Sequence, residues 1–287
     1  MNNAKPNLDD FTDVLEFLAE RYSKVEGQGE KSAEWVRLSI VTAETKLRAL
    51  RFILKRSSPP GSKPRLLDIG SQIGSLPLYA LRLGMESAAL DYADLASDCG
   101  RILRECGVDY RVGDVGKEPL PFADGSFDFV TYLDVIEHHP YSPQRVLREV
   151  RRVLAPGGCV IITTPNHASI YNRLALLRGR SVNDTFDYFF ETSKDQSVYF
   201  GHHREYTRDE LSSALERTGF RVLQSAAIDE GFQAQWSAFL QSCGGGWIPA
   251  LRWQGKFLAA NMLGHVWSGL SLPFGRVLWA VGEKADG

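Results

Sequence analysis

Leu66–Ser75 reads LLDIGSQIGS, and this stretch decides the fold. An apolar strand runs to Asp68 and Ile69, the chain turns at Gly70, and a helix starts near Gly74. Glycine permits a tight turn and lets a ligand come close to the backbone. In open α/β sheets the ligand crevice lies outside the carboxyl ends of the strands. A dinucleotide-binding loop needs glycines at its first, third and sixth positions. Here Gly70 and Gly74 are separated by Ser71, Gln72 and Ile73, which speaks against a nicotinamide-dependent oxidoreductase. No GK[ST] follows, so a phosphate-binding P-loop is excluded. On this stretch alone, a plain strand-to-helix turn remains open.

Outward from it, short apolar runs alternate with helical periods. Strands are predicted at Arg65–Ile69, Ser87–Leu90, Tyr110–Val112, Phe127–Leu133, Cys159–Thr164, Phe220–Ala226 and Arg276–Val281. Helices are predicted at Ser75–Leu83, Leu95–Cys106, Ser142–Leu154 (ended by Pro156-Gly157-Gly158) and Thr207–Thr218. Thr207 and Glu210 have capping-box spacing. The alternation implies a doubly wound, mostly parallel sheet covered on both faces. Upstream, residues 8–22 and 33–56 read as helices, and Ser57-Ser58-Pro59-Pro60-Gly61 reads as a linker. Residues 1–60 are therefore expected to form a helical N-terminal extension and 61–287 the main domain. That domain carries insertions at about 167–205 and 229–275, and the second reads as helical.

Acids stand at the carboxyl ends of the first three strands. Asp68 ends the first. Asp91 ends the second, about 23 residues later, where a carboxylate can accept both hydroxyls of a ribose. Asp114 follows the third, where a carboxylate can accept from an adenine amine. A lone Asp after a strand is commonly a turn former, but three at successive strand ends point to one nucleotide-like ligand.

The set LLDIGSQIG, AALDYAD, GDVGKEPLPFADGSFDFV, LDVIEHHP, VLREVRRVLAPGGCVIITTPN and HHREYTRDEL resembles the class I S-adenosylmethionine-dependent methyltransferases, notably the ubiquinone- and menaquinone-pathway group. The resemblance covers Arg65–Asn166 and His202–Phe220. It implies a seven-stranded Rossmann-like methyltransferase fold, with S-adenosyl-L-methionine as cofactor and S-adenosyl-L-homocysteine as product. By resemblance, Asp68, Gly70, Ser71 and Gly74 would hold the methionine part, and Asp91 the ribose, with Tyr92 beside the adenine. Asp114 would bind the adenine amine, Val115 would add a backbone contact, and Asp134 would face the cofactor and the nucleophile. Gln72 departs from the pattern, because the family commonly has glycine there, and it puts cofactor affinity in question.

Near pH 7 a neutral imidazole can take a proton. His138 is the first candidate base and His202 the second, with a structural histidine as the competing reading. His139 and His203 rank lower. No metal is required by methyl transfer. The arginines at 145, 148, 151 and 152 alternate with an apolar stripe and read as a solvated helix face. Tyr188, Phe189, Phe190, Tyr199 and Phe200 read either as a pocket lining or as packing.

The chain has 287 residues, 44% hydrophobic and 24% charged, with net charge −2. That balance suits a soluble globular protein, and nucleic acid is not an expected partner. The start, MNNAKPNLDD, has no apolar signal core, and Cys99, Cys106, Cys159 and Cys243 have no metal-ligand spacing, so a reducing, cytoplasmic setting is expected. Segments 231–251 and 257–275 lack charge but are interrupted by polar residues, so neither reads as a span. The aromatic 229–275 segment suggests a lipid-linked acceptor, peripheral membrane contact or a homodimer interface, against a buried helical subdomain. The expected activity is methylation, most simply O-methylation, of a small or lipid-linked acceptor. The alternative is a regulatory or interaction module that binds the cofactor without turnover.

Overall fold

The computed structural model describes residues 5–25, 29–57, 63–92, 97–184, 189–190, 201–228 and 275–285. Seven strands form one sheet: β1 (Arg65–Ile69), β2 (Glu86–Asp91), β3 (Asp109–Val112), β4 (Phe127–Leu133), β5 (Leu154–Pro165), β6 (Phe220–Ile228) and β7 (Val277–Lys284). Their spatial order is β3-β2-β1-β4-β5-β7-β6. The five strands from β3 to β5 pair in parallel, and β7 runs antiparallel to both β5 and β6.

Alternating side chains feed two cores, as the two-residue period of a strand requires. On one face Leu66, Ala89, Phe129 and Ile161 pack under α1 (Leu8–Ser23), α2 (Gly29–Leu38), α3 (Ala43–Arg56), α4 (Ser75–Arg82) and α5 (Ser97–Glu105). On the other face Leu67, Leu90, Val130, Tyr132, Val160 and Ile162 meet Val146, Leu147 and Val150 of α6 (Pro143–Val153). Leu211 and Leu215 of α8 (Arg208–Arg217) complete that core. Between them in sequence lies α7 (Ile170–Leu177).

The N-terminal helices are joined to the sheet's own core. Phe11 is buried edge-on against Tyr79 of α4, with ring centroids 5.6 Å apart. The Asn7 side chain caps α1, and the Asn7 backbone N–H donates to the Tyr79 hydroxyl at 3.2 Å.

Three local readings change. The helix expected over 33–56 is two helices joined by a 3-10 turn at Ser39–Thr42. There the Thr42 hydroxyl donates to the Ser39 carbonyl at 3.0 Å, and such local bonds compete with the helix ladder. Pro156-Gly157-Gly158 does not end a helix in a loop, because β5 already begins at Leu154 and the triplet forms an irregularity opposite Phe127–Phe129. The 167–205 segment, read as aperiodic, contains α7, which Ser169 caps by accepting from the Asn172 N–H. The 229–274 segment, Cys243, Tyr188, Tyr199 and Phe200 lie outside the described residues.

Candidate active site

The sheet order reverses between β1 and β4, and the crevice at their carboxyl ends collects the expected residues. Parallel pairing of β3, β2, β1 and β4 brings Asp114, Asp91, Asp68 and Asp134 to one edge.

Gly70 has φ +74 and Gly74 φ +75. A Cβ on Gly70 would lie 2.4 Å from a methyl of Val135, and one on Gly74 2.4 Å from a methyl of Leu103. Both positions therefore need glycine for conformation and for space. Between them Gln72 adopts φ +48, a left-handed backbone that glycine takes without strain and that a side chain takes at a cost. Its peptide is pinned on both sides: its N–H donates to Asp91 Oδ2, and its carbonyl accepts from Cys99 Sγ at 2.9 Å. The Gln72 side chain is exposed. The Ser71 hydroxyl is buried with no hydrogen-bond partner among the described residues, a polar atom suited to a ligand at the loop.

Asp91 is buried, and its second oxygen accepts from the Tyr92 N–H at 2.7 Å. Each oxygen thus keeps one acceptor direction for a diol. Burial raises its pKa above the usual carboxylate range. Asp68 accepts from the Thr131 hydroxyl at 2.7 Å. Burial pushes Asp68 up to about 7, while Thr131 and Lys46 pull it down. Asp134 has φ +54 at the end of β4 and accepts from the Thr163 hydroxyl at 2.9 Å. Burial raises it too, against Thr163, Lys46, His138 and His202.

Lys46 lies on the amphipathic helix α3, where a lysine is expected to face solvent. Instead it is half-buried, donates to Ser75 Oγ at 2.9 Å, and acts electrostatically on both Asp68 and Asp134. No local pattern marks it, since its partners come from β1, α4 and β4.

Asp114 is at the crevice edge, but its carboxylate accepts from the Gly116 N–H at 2.9 Å and pairs with Lys117 at 3.1 Å. Val115 is buried in the second core, and Tyr92 is 43% exposed beside Asp91.

Past Asp134 a 3-10 turn, Ile136–His138, carries Glu137 inward and His138 outward. The Glu137 carbonyl accepts the backbone N–H groups of His203 at 2.7 Å and Arg204 at 3.2 Å. Those bonds draw a segment more than sixty residues away onto the turn, and the rings of His138 and His202 meet edge-on at 4.9 Å. His138 Nδ1 donates to the Gly201 carbonyl at 3.3 Å. His202 Nδ1 lies 3.1 Å from Glu205 Oε1, a hydrogen bond that raises the His202 pKa. Glu137, which sequence reading passed over, is 1% exposed, and burial beside Asp134 lifts it to about 8. His139 instead stacks on Tyr132, and burial lowers its pKa. His203 is exposed. Phe189 and Phe190 are exposed rather than enclosed.

A family model described as a methyltransferase domain matches residues 42–225, more than half of the chain. The chain belongs to this methyltransferase family. It is 35% identical over 130 residues to a sarcosine/dimethylglycine N-methyltransferase of Halorhodospira halochloris, covering 44% of this chain and 46% of that one. It is 34% identical over 131 residues to a ubiquinone biosynthesis O-methyltransferase of Xanthomonas axonopodis pv. citri, covering 45% of this chain and 53% of the other. The methyltransferase thus spans about half the length of the curated relatives it matches. Among solved structures, phosphoethanolamine N-methyltransferase 2 of Haemonchus contortus, in complex with S-adenosyl-L-methionine, has a TM-score of 0.54 at 18% identity, covering 96% of this chain and 60% of that one. By family the chain carries a methyltransferase domain, and its seven-stranded fold is shared with that structure. No helix among the described residues is long and apolar enough to cross a membrane.

Proposed function

We propose that this methyltransferase methylates an oxygen atom of a small or lipid-linked acceptor. The observation that carries the reading is the convergence of Asp68, Asp91 and Asp134 around the Gly70–Gly74 loop, with His138 and His202 directly beyond Asp134. The residues fit the cofactor. The unpartnered Ser71 hydroxyl and the remaining acceptor directions of Asp91 supply polar contacts. Buried carboxylates with raised pKa values mark negative charge short of compensation, which a sulfonium cation offsets.

Asp68, Gly70, Ser71 and Gly74 would hold the methionine part. Asp91 would hold the ribose, with Tyr92 at the adenine. Asp114 and Val115 would line the adenine end, and there Asp114 would exchange its own turn for a ligand contact. When bound, S-adenosylmethionine supplies a methyl group already activated for in-line transfer. The chain's task is to orient the partners and keep water out. Asp134, held by Thr163, faces both.

An oxygen acceptor suits the histidine pair, because a neutral hydroxyl is a weak nucleophile until a base takes its proton. The Gly201 carbonyl accepts from His138 Nδ1, so on this reading Nε2 is the atom that takes the proton. His202, with Nδ1 on Glu205, is oriented the same way. The aromatic 229–275 segment supports a lipophilic acceptor by composition alone.

Titration calorimetry with S-adenosylmethionine and S-adenosylhomocysteine tests the cofactor site. Saturable binding is expected, and Asp91→Ala should weaken it by about 10-fold or more, since it removes hydrogen bonds to a charged acceptor. No binding of either ligand would overturn the reading. Screening hydroxylated acceptors then tests turnover. His138→Ala should lower kcat by about 100-fold, and unchanged turnover with an ordinary acceptor KM would remove it as the base. Binding without any turnover across the screen would mark a regulatory module instead.

A further inference from the structure

We propose that Glu137, His138 and His202 form a divalent transition-metal site on the acceptor side of the methyl-transfer centre. One ligand atom from each lies within 4.8 Å of the other two. Three ligands each about 2.1 Å from one ion stand about 3.4–3.6 Å apart. The trio therefore closes on an ion through a movement of about 1 Å, which a turn of the exposed His138 ring can supply.

The surroundings are those of a ligand set rather than of a chance cluster. Metal-binding histidines direct their second ring nitrogen to a carbonyl or carboxylate, which fixes the tautomer and turns the lone pair to the metal. His138 Nδ1 is on the Gly201 carbonyl and His202 Nδ1 on Glu205. On this reading Nε2 of each ring is the atom that would take the ion. Glu137 Oε2 accepts from the Thr164 hydroxyl at 3.0 Å, which orients the carboxylate in the same manner. The backbone bonds from His203 and Arg204 to the Glu137 carbonyl hold the two ligand-bearing segments together.

Charge points the same way. Glu137 is buried, and the Asp134 carboxylate three residues before it repels its charge. Asp184 and Glu205 add negative charge behind His202. A dication relieves this repulsion. Two imidazoles and one carboxylate favour Zn2+, Co2+ or Mn2+ over Mg2+ or Ca2+, which prefer all-oxygen shells. Three protein ligands also leave a position open, as in catalytic rather than structural zinc sites.

The inference rests on the oxygen-acceptor reading for its use. An ion here would ligate the acceptor hydroxyl and acidify it, and the hydroxyl proton would pass to water. In the loaded protein the His138 lone pair holds the ion instead of taking the proton.

The test is titration of the chelator-treated full chain with ZnCl2, and separately with CoCl2 followed by visible absorption, without acceptor. One ion per chain and a cobalt band indicating nitrogen ligation are expected. His138→Ala and His202→Ala should each weaken Zn2+ binding at least 10-fold, as should Glu205→Gln through the His202 orientation. S-adenosylmethionine titration of each variant serves as the fold control and should be unchanged. Absent Zn2+ and Co2+ binding, or equal binding by wild type and both histidine variants, would overturn the site while leaving the cofactor reading intact. Loss of S-adenosylmethionine binding with intact metal binding would do the reverse.

Discussion

Gln72 and Gly70 sit two residues apart and carry opposite expectations. Gln72 bears left-handed strain of about 1–2 kcal/mol, and glycine in its place adds up to about 1 kcal/mol of unfolded-chain entropy. With φ +48 and an exposed side chain, Gln72→Gly should therefore raise stability by less than about 1 kcal/mol in urea melts. Cofactor affinity should hold within a few-fold, because Asp91 is served by the Gln72 backbone rather than its side chain. Gly70→Ala should cost about 2 kcal/mol or more, since strain and overpacking add. It would also displace Val135, the neighbour of Asp134. At this scale the strand-end acids could be read from the chain, because each ends an apolar run. Glu137 and Lys46 could not: a glutamate in a short turn and a lysine on an amphipathic helix look like solvent-facing residues until their distant partners are known.

Helices α1 and α3 act on the site from outside the sheet. Phe11 is fully buried against Tyr79, so Phe11→Ala should lose about 3–5 kcal/mol. That loss, read by urea denaturation, would show that the N-terminal helices fold as one unit with the sheet. A smaller loss would mean that α1 opens independently. The Thr207–Glu210 capping box offers a contrast within one element. Thr207→Ala should cost about 1 kcal/mol and leave S-adenosylmethionine affinity unchanged, since α8 lies behind β6 and β7. The box was legible because its bonds are three residues apart. The break between α2 and α3 was not, since it depends on a hydroxyl choosing a carbonyl over solvent.

Over the whole molecule, buried carboxylates set the pH response. Asp68 titrates near 7 and Glu137 near 8 when folded, both well above their unfolded values, so folding takes up protons between those limits. Their contribution to stability is complete below about pH 4, the unfolded carboxylate range, and is lost as pH rises through the folded values. In chelator, without cofactor, the melting temperature should fall from pH 5.5 to pH 8, and Asp68→Asn should flatten the decline. A melting temperature independent of pH over that range would contradict the burial of these charges. The sequence by itself determined the strand–helix alternation, the glycine loop and the acids at the strand ends, because each depends on residues a few positions apart. Only the tertiary structure decided that Lys46 reaches Asp68 and Asp134, and that Glu137 and His138 meet His202. Those meetings depend on sheet order and on backbone hydrogen bonds between segments far apart in the chain, which no local period encodes.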